Sequence, residues 1–207
     1  MLNYNKKLFP AGFLIPCFLF LATGGAMLLF FSNEDLFNFL TIKATHPRML
    51  FHFFYWIDFL GNGYFFLAVL VILFLFNRKF FRAGLLSWAF TTILVNILKY
   101  FIFPMMERPS RIFPEHPSLN LLSNMNIFSE NSFPSGHSAS AFAVFFLLSV
   151  LFRNRWISIL SFALAFLAAY ARVYLFQHFP ADILAGAVIG VGSSWVGVYL
   201  YRHRFID

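Results

Sequence analysis

Two histidines, one aspartate, one lysine and two arginines stand in three short stretches of a 207-residue chain that is otherwise poor in charge. The central stretch runs Asn131-Ser-Phe-Pro-Ser-Gly-His-Ser-Ala-Ser140, with Lys99 and Arg108-Pro109 upstream and Arg172-Val-Tyr-Leu-Phe-Gln-His178-Phe-Pro-Ala-Asp182 downstream. Three cations, two imidazoles and a carboxylate are the inventory of a phosphate-transfer site. Pro134 suits the start of a helix, and Ser135-Gly136 leave backbone N–H groups open to close approach, so the N-terminus that follows is a natural phosphate cradle beside His137. By themselves these four residues also fit an ordinary capped helix start. Asp182 stands four residues after His178, with Pro180 between them. It can reach back to one ring nitrogen and leave the other lone pair for a substrate, which is the arrangement of an activated nucleophile. The same pair also fits a capping aspartate beside an interfacial histidine. Arg108 and Arg172 are suited to bidentate contacts with phosphate oxygens, and with Lys99 they would offset the charge that builds on a transferring phosphoryl group. Snorkelling of long basic side chains to lipid headgroups accounts for one or two such cations. It does not account for two histidines and an aspartate converging with them.

These groups need elements to hold them, and composition says what kind. The chain is 60% hydrophobic and 11% charged, with 33 phenylalanines, and its apolar residues fall in long unbroken runs. That excludes a water-soluble domain and indicates an integral membrane protein. The net charge of +7 sits in short clusters beside apolar spans, with no basic face for nucleic acid. Six segments approach the roughly 17–25 residues that a helix needs to cross a bilayer. They lie near 10–31, 62–77, 81–103, 135–152, 156–176 and 180–202. The expected fold is all-α, a single domain over 1–207: a bundle of six transmembrane helices with an interfacial helix between the first and second. Cys17 has no partner for a disulfide, and no Cys/His spacing suits zinc. The first run follows Lys6-Lys7 and is long enough to be a retained span; cleavage of a signal peptide near Ala22 to Ala26 is the alternative.

Between the first two spans, Asn33 to Asn62 mixes Glu34, Asp35, Lys43, His46, Arg48, His52, Trp56 and Asp58 with apolar residues, and Leu50, Phe53, Phe54 and Ile57 recur at helical spacing. Part of it is expected to lie along the membrane surface, as a connector or as a roof over the site. The loop Pro104 to Phe133 is expected to form a lid or rim. The N-terminus and the Arg78-Lys79-Arg82, Arg153-Asn-Arg155 and Arg202-His-Arg204 clusters carry nine cations against one acid, Asp207, whereas Glu34, Asp35, Asp58, Glu107, Glu115, Glu130 and Asp182 fall on the opposite side. The positive-inside rule then makes both termini cytoplasmic and turns every candidate site residue outward. His46, His52, His116 and His203 lie outside the motifs and are expected at interfaces or in solvent. Glu107 is expected to be an ordinary loop acid, the alternative being that it tunes Arg108 or contacts a headgroup.

Taken together, Lys99, Arg108-Pro109, Pro134 to His137, Arg172, His178 and Asp182 make the chain resemble the type 2 phosphatidic acid phosphatase superfamily of membrane lipid phosphatases. The stretch His178 to Gly186 is particularly typical of that family. The resemblance implies that Lys99, Arg108, Ser135, Gly136 and Arg172 hold the phosphoryl group, that His178 attacks phosphorus to give a phosphohistidine, that His137 protonates the leaving oxygen, and that Asp182 orients His178. It implies no metal and no cofactor. The implied partners are a phosphorylated lipid and the bilayer, in a bacterial cytoplasmic membrane with the site facing the periplasm or exterior. Candidate substrates are undecaprenyl diphosphate, phosphatidylglycerol phosphate, phosphatidate and the phosphates of lipid A. Lipid-to-lipid phosphotransfer by the same intermediate is an alternative, as is a transporter or scaffold whose polar cluster does no chemistry. Two features depart from the family pattern: eight residues, where the family has six, separate Lys99 from Arg108, and Ala171 replaces a serine. The extra residues displace a helix end by about 3 Å, so Lys99 reaches the phosphate only if the chain near Pro104 bulges or kinks. Loss of the serine removes one donor, worth roughly 1.5–3 kcal/mol against a charged acceptor.

Overall fold

The computed structural model describes residues 9–41, 48–115 and 128–205, and every regular element among them is helical. The helices are α1 (Ala11–Phe30), α2 (Asn33–Thr41), α3 (Arg48–Asp58), α4 (Gly63–Phe76), α5 (Arg78–Ile97), α6 (Pro109–Ile112), α7 (Gly136–Phe152), α8 (Arg155–Tyr174) and α9 (Pro180–Phe205). A 3-10 turn, Phe59–Gly61, joins α3 toward α4, and a π turn, Leu98–Ile102, ends α5. Lys6, Lys7, Lys43, His46, His116 and Asp207 lie outside the described residues, as do the side chains of Arg48, Arg202, His203 and Arg204 and the middle of the expected lid, 116–127.

Polar side chains at the boundaries decide where the apolar runs become separate helices. Asn62 accepts from the Tyr64 N–H at 3.0 Å, Asn77 from Phe80 at 3.2 Å, and Asn154 from Trp156 and Ile157 at 2.8 and 3.2 Å. Each satisfies amides that the first turn of a helix leaves without partners.

All six expected spans return as helices, and four of them are long and apolar enough to cross a membrane: Ala11–Phe30, Arg78–Ile102, Arg155–Tyr174 and Pro180–Tyr201. The expected second span is the 14-residue α4, about 21 Å at 1.5 Å per residue and short of a core of about 30 Å. It meets the length only when taken with the preceding segment Met49–Gly61, to which it is bent by 53°, giving up to five spans. The expected fourth span, α7, has 17 residues. The chain is thus an all-helical integral membrane protein. The segment expected to lie at the interface forms α2 and α3, and α3 is anchored by Phe54, whose ring lies 4.4 Å from that of Tyr174 and 5.4 Å from that of Tyr170. Its Met49, Phe53, Tyr55 and Trp56 remain exposed.

Helix α7 is apolar on all sides because it is surrounded by protein instead of lipid. Ala139, Ala141 through Leu147 and Val150 are all buried. α1 runs unbroken through Ala22–Ala26 and seats Phe13 edge-on against Phe142, Phe146 and Phe162, at 6.1, 5.7 and 5.9 Å between centroids. The α7–α9 seam is closest where side chains are smallest. A Cβ added at Gly186 would stand 2.6 Å from the Ser135 carbonyl oxygen, and one at Gly190 would run into the Ala139 carbonyl. Close backbone approach through small residues is the usual way helices pair in lipid, where no hydrophobic force drives them together. This seam fixes the start of α7 against the start of α9.

Candidate active site

Each motif sits where a helix begins or ends, all at one end of the bundle. Lys99 lies in the π turn closing α5, Ser135 caps α7, Arg172 lies in the last turn of α8, and Asp182 lies in the first turn of α9. The backbone turn between α8 and α9 folds back onto itself: the Arg172 carbonyl accepts from the N–H groups of Gln177 and His178, at 2.9 and 3.1 Å. Phe37 of α2 braces that turn, with its ring 5.0 Å from Phe176 and 5.4 Å from Phe179.

His178 is fully buried, and its Nδ1 is 3.3 Å from Asp182 Oδ2. That partner places the ring proton on Nδ1 and leaves the lone pair on Nε2, which points to Arg108 Nη1 at 3.4 Å. Asp182 is itself held by the Ser132 hydroxyl and by the Phe179 N–H at 2.9 Å. Burial, reinforced by the charges of Arg172, Arg108 and Lys99, holds the His178 ring well below the usual histidine range, so it is a neutral imidazole at pH 7.

The three cations are held differently. Lys99 Nζ donates to the Asn131 carbonyl at 2.8 Å, and Arg108 Nη2 shares that acceptor at 3.2 Å. Arg108 also donates from Nε to the Glu130 carbonyl at 2.8 Å and from Nη1 to the Gln177 carbonyl at 3.0 Å. Burial, followed by the charge of Arg172, pulls its guanidinium down to about 10, which still leaves it a cation at neutral pH. The long Lys99–Arg108 spacing is therefore absorbed. The π turn takes up part of it, and Met105 then adopts a positive φ of 60° with its N–H held by Asn131 Oδ1 at 3.2 Å. Bulges of this kind often sit at functional positions.

Arg172 has a partner that the motifs do not contain. Its Nη1 donates to both carboxylate oxygens of Asp58, at 2.9 and 2.8 Å, and Asp58 Oδ2 is 3.9 Å from His137 Nε2. Asp58 ends α3, 79 residues before His137 in the chain, and nothing in the mixed-charge segment around it marks it out. The one usable signal is the Gly61-Asn62-Gly63 turn just after it, since Gly61 packs where a Cβ would lie 2.9 Å from the His137 carbonyl oxygen. Ser132, Asn131 and Gln177 lie within the central and downstream stretches but were given no role there, and they contact site residues.

Ser135 is fully buried, and its hydroxyl oxygen accepts from the Ser138 N–H at 3.3 Å and the Ser138 hydroxyl at 3.0 Å. Its own proton stays free to donate. Gly136 is not required by packing, because a Cβ there would meet only Val95 at an ordinary 3.6 Å. Ala171 is fully buried and supplies no hydroxyl. His137 is the most open of the two histidines, with 31% of its side chain exposed. Glu107 pairs with Arg111 at 3.1 Å on the surface and not with Arg108, as expected of a loop acid. His52 is exposed.

Lys99, Arg108, Arg172, His178 and Asp182 thus gather in one buried cluster, with Asp58 and His137 at its edge. Three cations against two carboxylates leave an excess of positive charge that suits a phosphoryl dianion. Among the described residues no group of three or more His, Cys, Asp or Glu could hold a metal ion.

Comparison with known proteins points the same way. The family model described as "PAP2 superfamily" matches residues 80–206. A lipid A 4'-phosphatase of Bacteroides thetaiotaomicron is 37% identical over 106 residues, which cover 50% of this chain and 47% of that protein. The match thus spans about half the length of that relative. Among solved structures, LpxE of Aquifex aeolicus superposes with a TM-score of 0.66 at 32% identity, covering 80% of this chain and 94% of the other. A transmembrane PAP2-type phosphatidylglycerolphosphate phosphatase from Bacillus subtilis shares the fold, with a TM-score of 0.64 at 24% identity over 95% of this chain and 98% of that one.

Proposed function

Because the chain belongs to the PAP2 superfamily, we propose that it is a metal-independent lipid phosphatase that removes phosphate from a membrane lipid through a phosphohistidine on His178. Lys99, Arg108, Arg172, the Ser135 hydroxyl and the Gly136 amide hold the phosphoryl oxygens. His178 Nε2 forms a bond to phosphorus as the bond to the lipid oxygen breaks, and the departing electron pair takes a proton from His137, which enters the step as an imidazolium and leaves it neutral. Water then attacks phosphorus, giving its proton to His137, and the N–P electron pair returns to His178 as inorganic phosphate leaves. Asp182 keeps the His178 proton on Nδ1 and stabilises the charge the ring gains on phosphorylation. Fixed cations do the electrostatic work a metal does elsewhere.

The observation that carries this reading is His178: a neutral imidazole with one nitrogen engaged by a carboxylate at 3.3 Å and the other directed at a guanidinium at 3.4 Å. A histidine serving only structure has no need of a ring nitrogen turned into a cluster of three cations. By the distribution of Lys and Arg, the site end of the bundle faces the periplasm or exterior of a bacterial cytoplasmic membrane and both termini are cytoplasmic. The lipid tail stays in the bilayer beside the helices.

The test is phosphate release from a panel of phosphorylated lipids by purified protein in chelator, beside His178→Ala and His137→Ala. Turnover should be lost in both variants while folding is preserved. Equal release by all three proteins would reject catalysis at this site and leave a transporter or scaffold.

A further inference from the structure

Helices α7 and α8 carry site residues at one end and frame a second cavity at the other, one 17-residue helix or about 25 Å away from Ser135. This cavity has a volume of about 690 Å³, within the range of ligand sites, and lies between the start of α1 and the turn that joins α7 to α8. Its walls are apolar, with Ile15 and Pro16 from α1, Val150 from α7 and Ile159 from α8. Arg153, Asn154 and Arg155, all exposed, follow one another at its edge where α7 turns into α8. No Asp or Glu among the described residues lies on α1, α7, α8 or that turn. Trp156, 75% exposed beside the arginines, is a residue that membrane proteins place at headgroup level.

Arginines at the end of a span have an ordinary explanation, since they set orientation and snorkel to headgroups without needing a site. Ser158 is not covered by it. This serine is only 3% exposed and lines the cavity, yet its hydroxyl has no hydrogen-bond partner among the described residues. Buried Ser87, Thr91 and Ser149 each donate to a carbonyl one helical turn back, at 2.8, 2.7 and 2.9 Å, as a hydroxyl in an apolar helix ordinarily does. Asn154 Oδ1 accepts from the Trp156 and Ile157 N–H groups, which leaves the amide nitrogen of that side chain to donate outward. Gly12 fixes one edge of the cavity: a Cβ there would stand 2.7 Å from the Arg155 carbonyl oxygen and 3.0 Å from Ser158 Cβ, so α1 meets α8 with no side chain between them.

We propose that this cavity binds an anionic phospholipid of the leaflet at that end of the bundle. The phosphodiester meets Arg153, Arg155, the Asn154 amide and the Ser158 hydroxyl, and one acyl chain lies along Ile15, Pro16, Val150 and Ile159. Guanidinium groups and hydroxyls are the donors that phosphate oxygens take, and basic pockets between spanning helices are where anionic headgroups are held. A zwitterionic choline lipid offers the same chains and the same phosphate but adds a quaternary ammonium group. That cation would stand near two arginines with no carboxylate from α1, α7 or α8 to receive it. The site is separate from the cluster around His178, and a phosphodiester has no terminal phosphate to lose there. Because the lipid binds only the folded bundle, its occupancy stabilises the fold by mass action.

The test follows thermal unfolding and native mass spectra of the full-length protein in detergent with phosphatidylglycerol or phosphatidylcholine of the same acyl chains. Near saturation, phosphatidylglycerol should raise the unfolding temperature by about 3 °C or more above phosphatidylcholine, and it should bind about tenfold more tightly or better. Arg153→Ala combined with Arg155→Ala should abolish that preference. Ile159→Trp, which fills the cavity without changing charge, should weaken phosphatidylglycerol binding by about tenfold or more. The two lipids are compared within each variant, so a variant that is itself less stable still reports. Lys99→Ala, in the other cluster, should leave the preference intact. Equal stabilisation by both lipids would overturn the proposal, as would a preference that survives either cavity variant or is lost in Lys99→Ala. The same stabilisation by glycerol 3-phosphate, which lacks the chains, would overturn it in favour of a simple anion site. Binding that appears only after residues 2–8 are deleted would overturn it in favour of the chain's own N-terminus as occupant.

Discussion

The α7–α9 seam sets the distance between the two histidines, and Gly186→Ala tests that. The added Cβ would lie 2.6 Å from the Ser135 carbonyl oxygen, 2.8 Å from Ser138 Cβ and 3.1 Å from the Ala139 amide nitrogen, where ordinary contact begins near 3.4 Å. The first turn of α7 must therefore retreat by about 0.8 Å, since none of the three atoms is the end of a flexible side chain. That movement stretches the hydrogen bond from the Ser135 N–H to the Asp182 carbonyl, now 3.1 Å, and carries His137 away from His178. Overpacking of this kind costs about 1–3 kcal/mol of stability. A displacement near 1 Å at a reacting group lowers rate by about 100-fold. Phosphate release kinetics should show the loss in kcat together with a smaller rise in KM, because Ser135 and Gly136 ride on the shifted turn while Lys99, Arg108 and Arg172 do not. Thermal unfolding of the same preparation should fall by a few degrees. Gly192→Ala is the control: a Cβ there meets nothing within 4 Å, and turnover should be unchanged. Wild-type kcat and unfolding temperature in Gly186→Ala would refute the claim that this seam holds the catalytic geometry.

Lys99→Ala should lower kcat/KM by about 100-fold or more, the scale of losing one fixed donor to transition-state charge; an unchanged rate would mean that the longer spacing does remove this lysine from the site. Ser132→Ala deletes the hydroxyl donor to Asp182, and a bond to a charged acceptor is worth roughly 1.5–3 kcal/mol. It should slow kcat by about tenfold or more without weakening substrate binding, as measured by steady-state kinetics. The low pKa of His178 also has a signed consequence. With an activated aryl phosphate whose leaving group needs no proton, the rate of enzyme phosphorylation should stay flat as pH falls from about 7.5 to 6, whereas an ordinary imidazole titrating near 6.5 would lose about three quarters of its neutral form. A fourfold fall measured by rapid quench would contradict the buried, cation-flanked ring.

Part of the candidate site was legible in the sequence because some of its contacts are short-range. His178 and Asp182 meet across one helical turn, and Pro134 to His137 build one helix start, so spacing alone implies each contact. Long-range contacts left no such trace. Asp58 reaches Arg172 and His137 only because Phe54 docks α3 between Tyr170 and Tyr174 and Gly61 lets the following turn close onto His137. Ser132 lies in the central stretch, but its bond to Asp182 spans 50 residues. The number of membrane crossings was less legible for a different reason. An apolar run looks the same whether lipid or protein surrounds it, and α7 is apolar because the bundle encloses it. Asn62 and Asn77, each capping the helix that follows, are what cut α4 to 14 residues.

The most direct measurement is identification of the covalent intermediate. The protein is mixed with a phosphorylated lipid, quenched at high pH where phosphohistidine survives, digested and examined by mass spectrometry. Phosphate is expected on His178 alone, to be lost in His178→Ala, and to accumulate when hydrolysis is slowed in His137→Ala with a substrate whose leaving group needs no proton. Phosphate on another side chain, or full turnover by a protein lacking His178, would contradict that expectation.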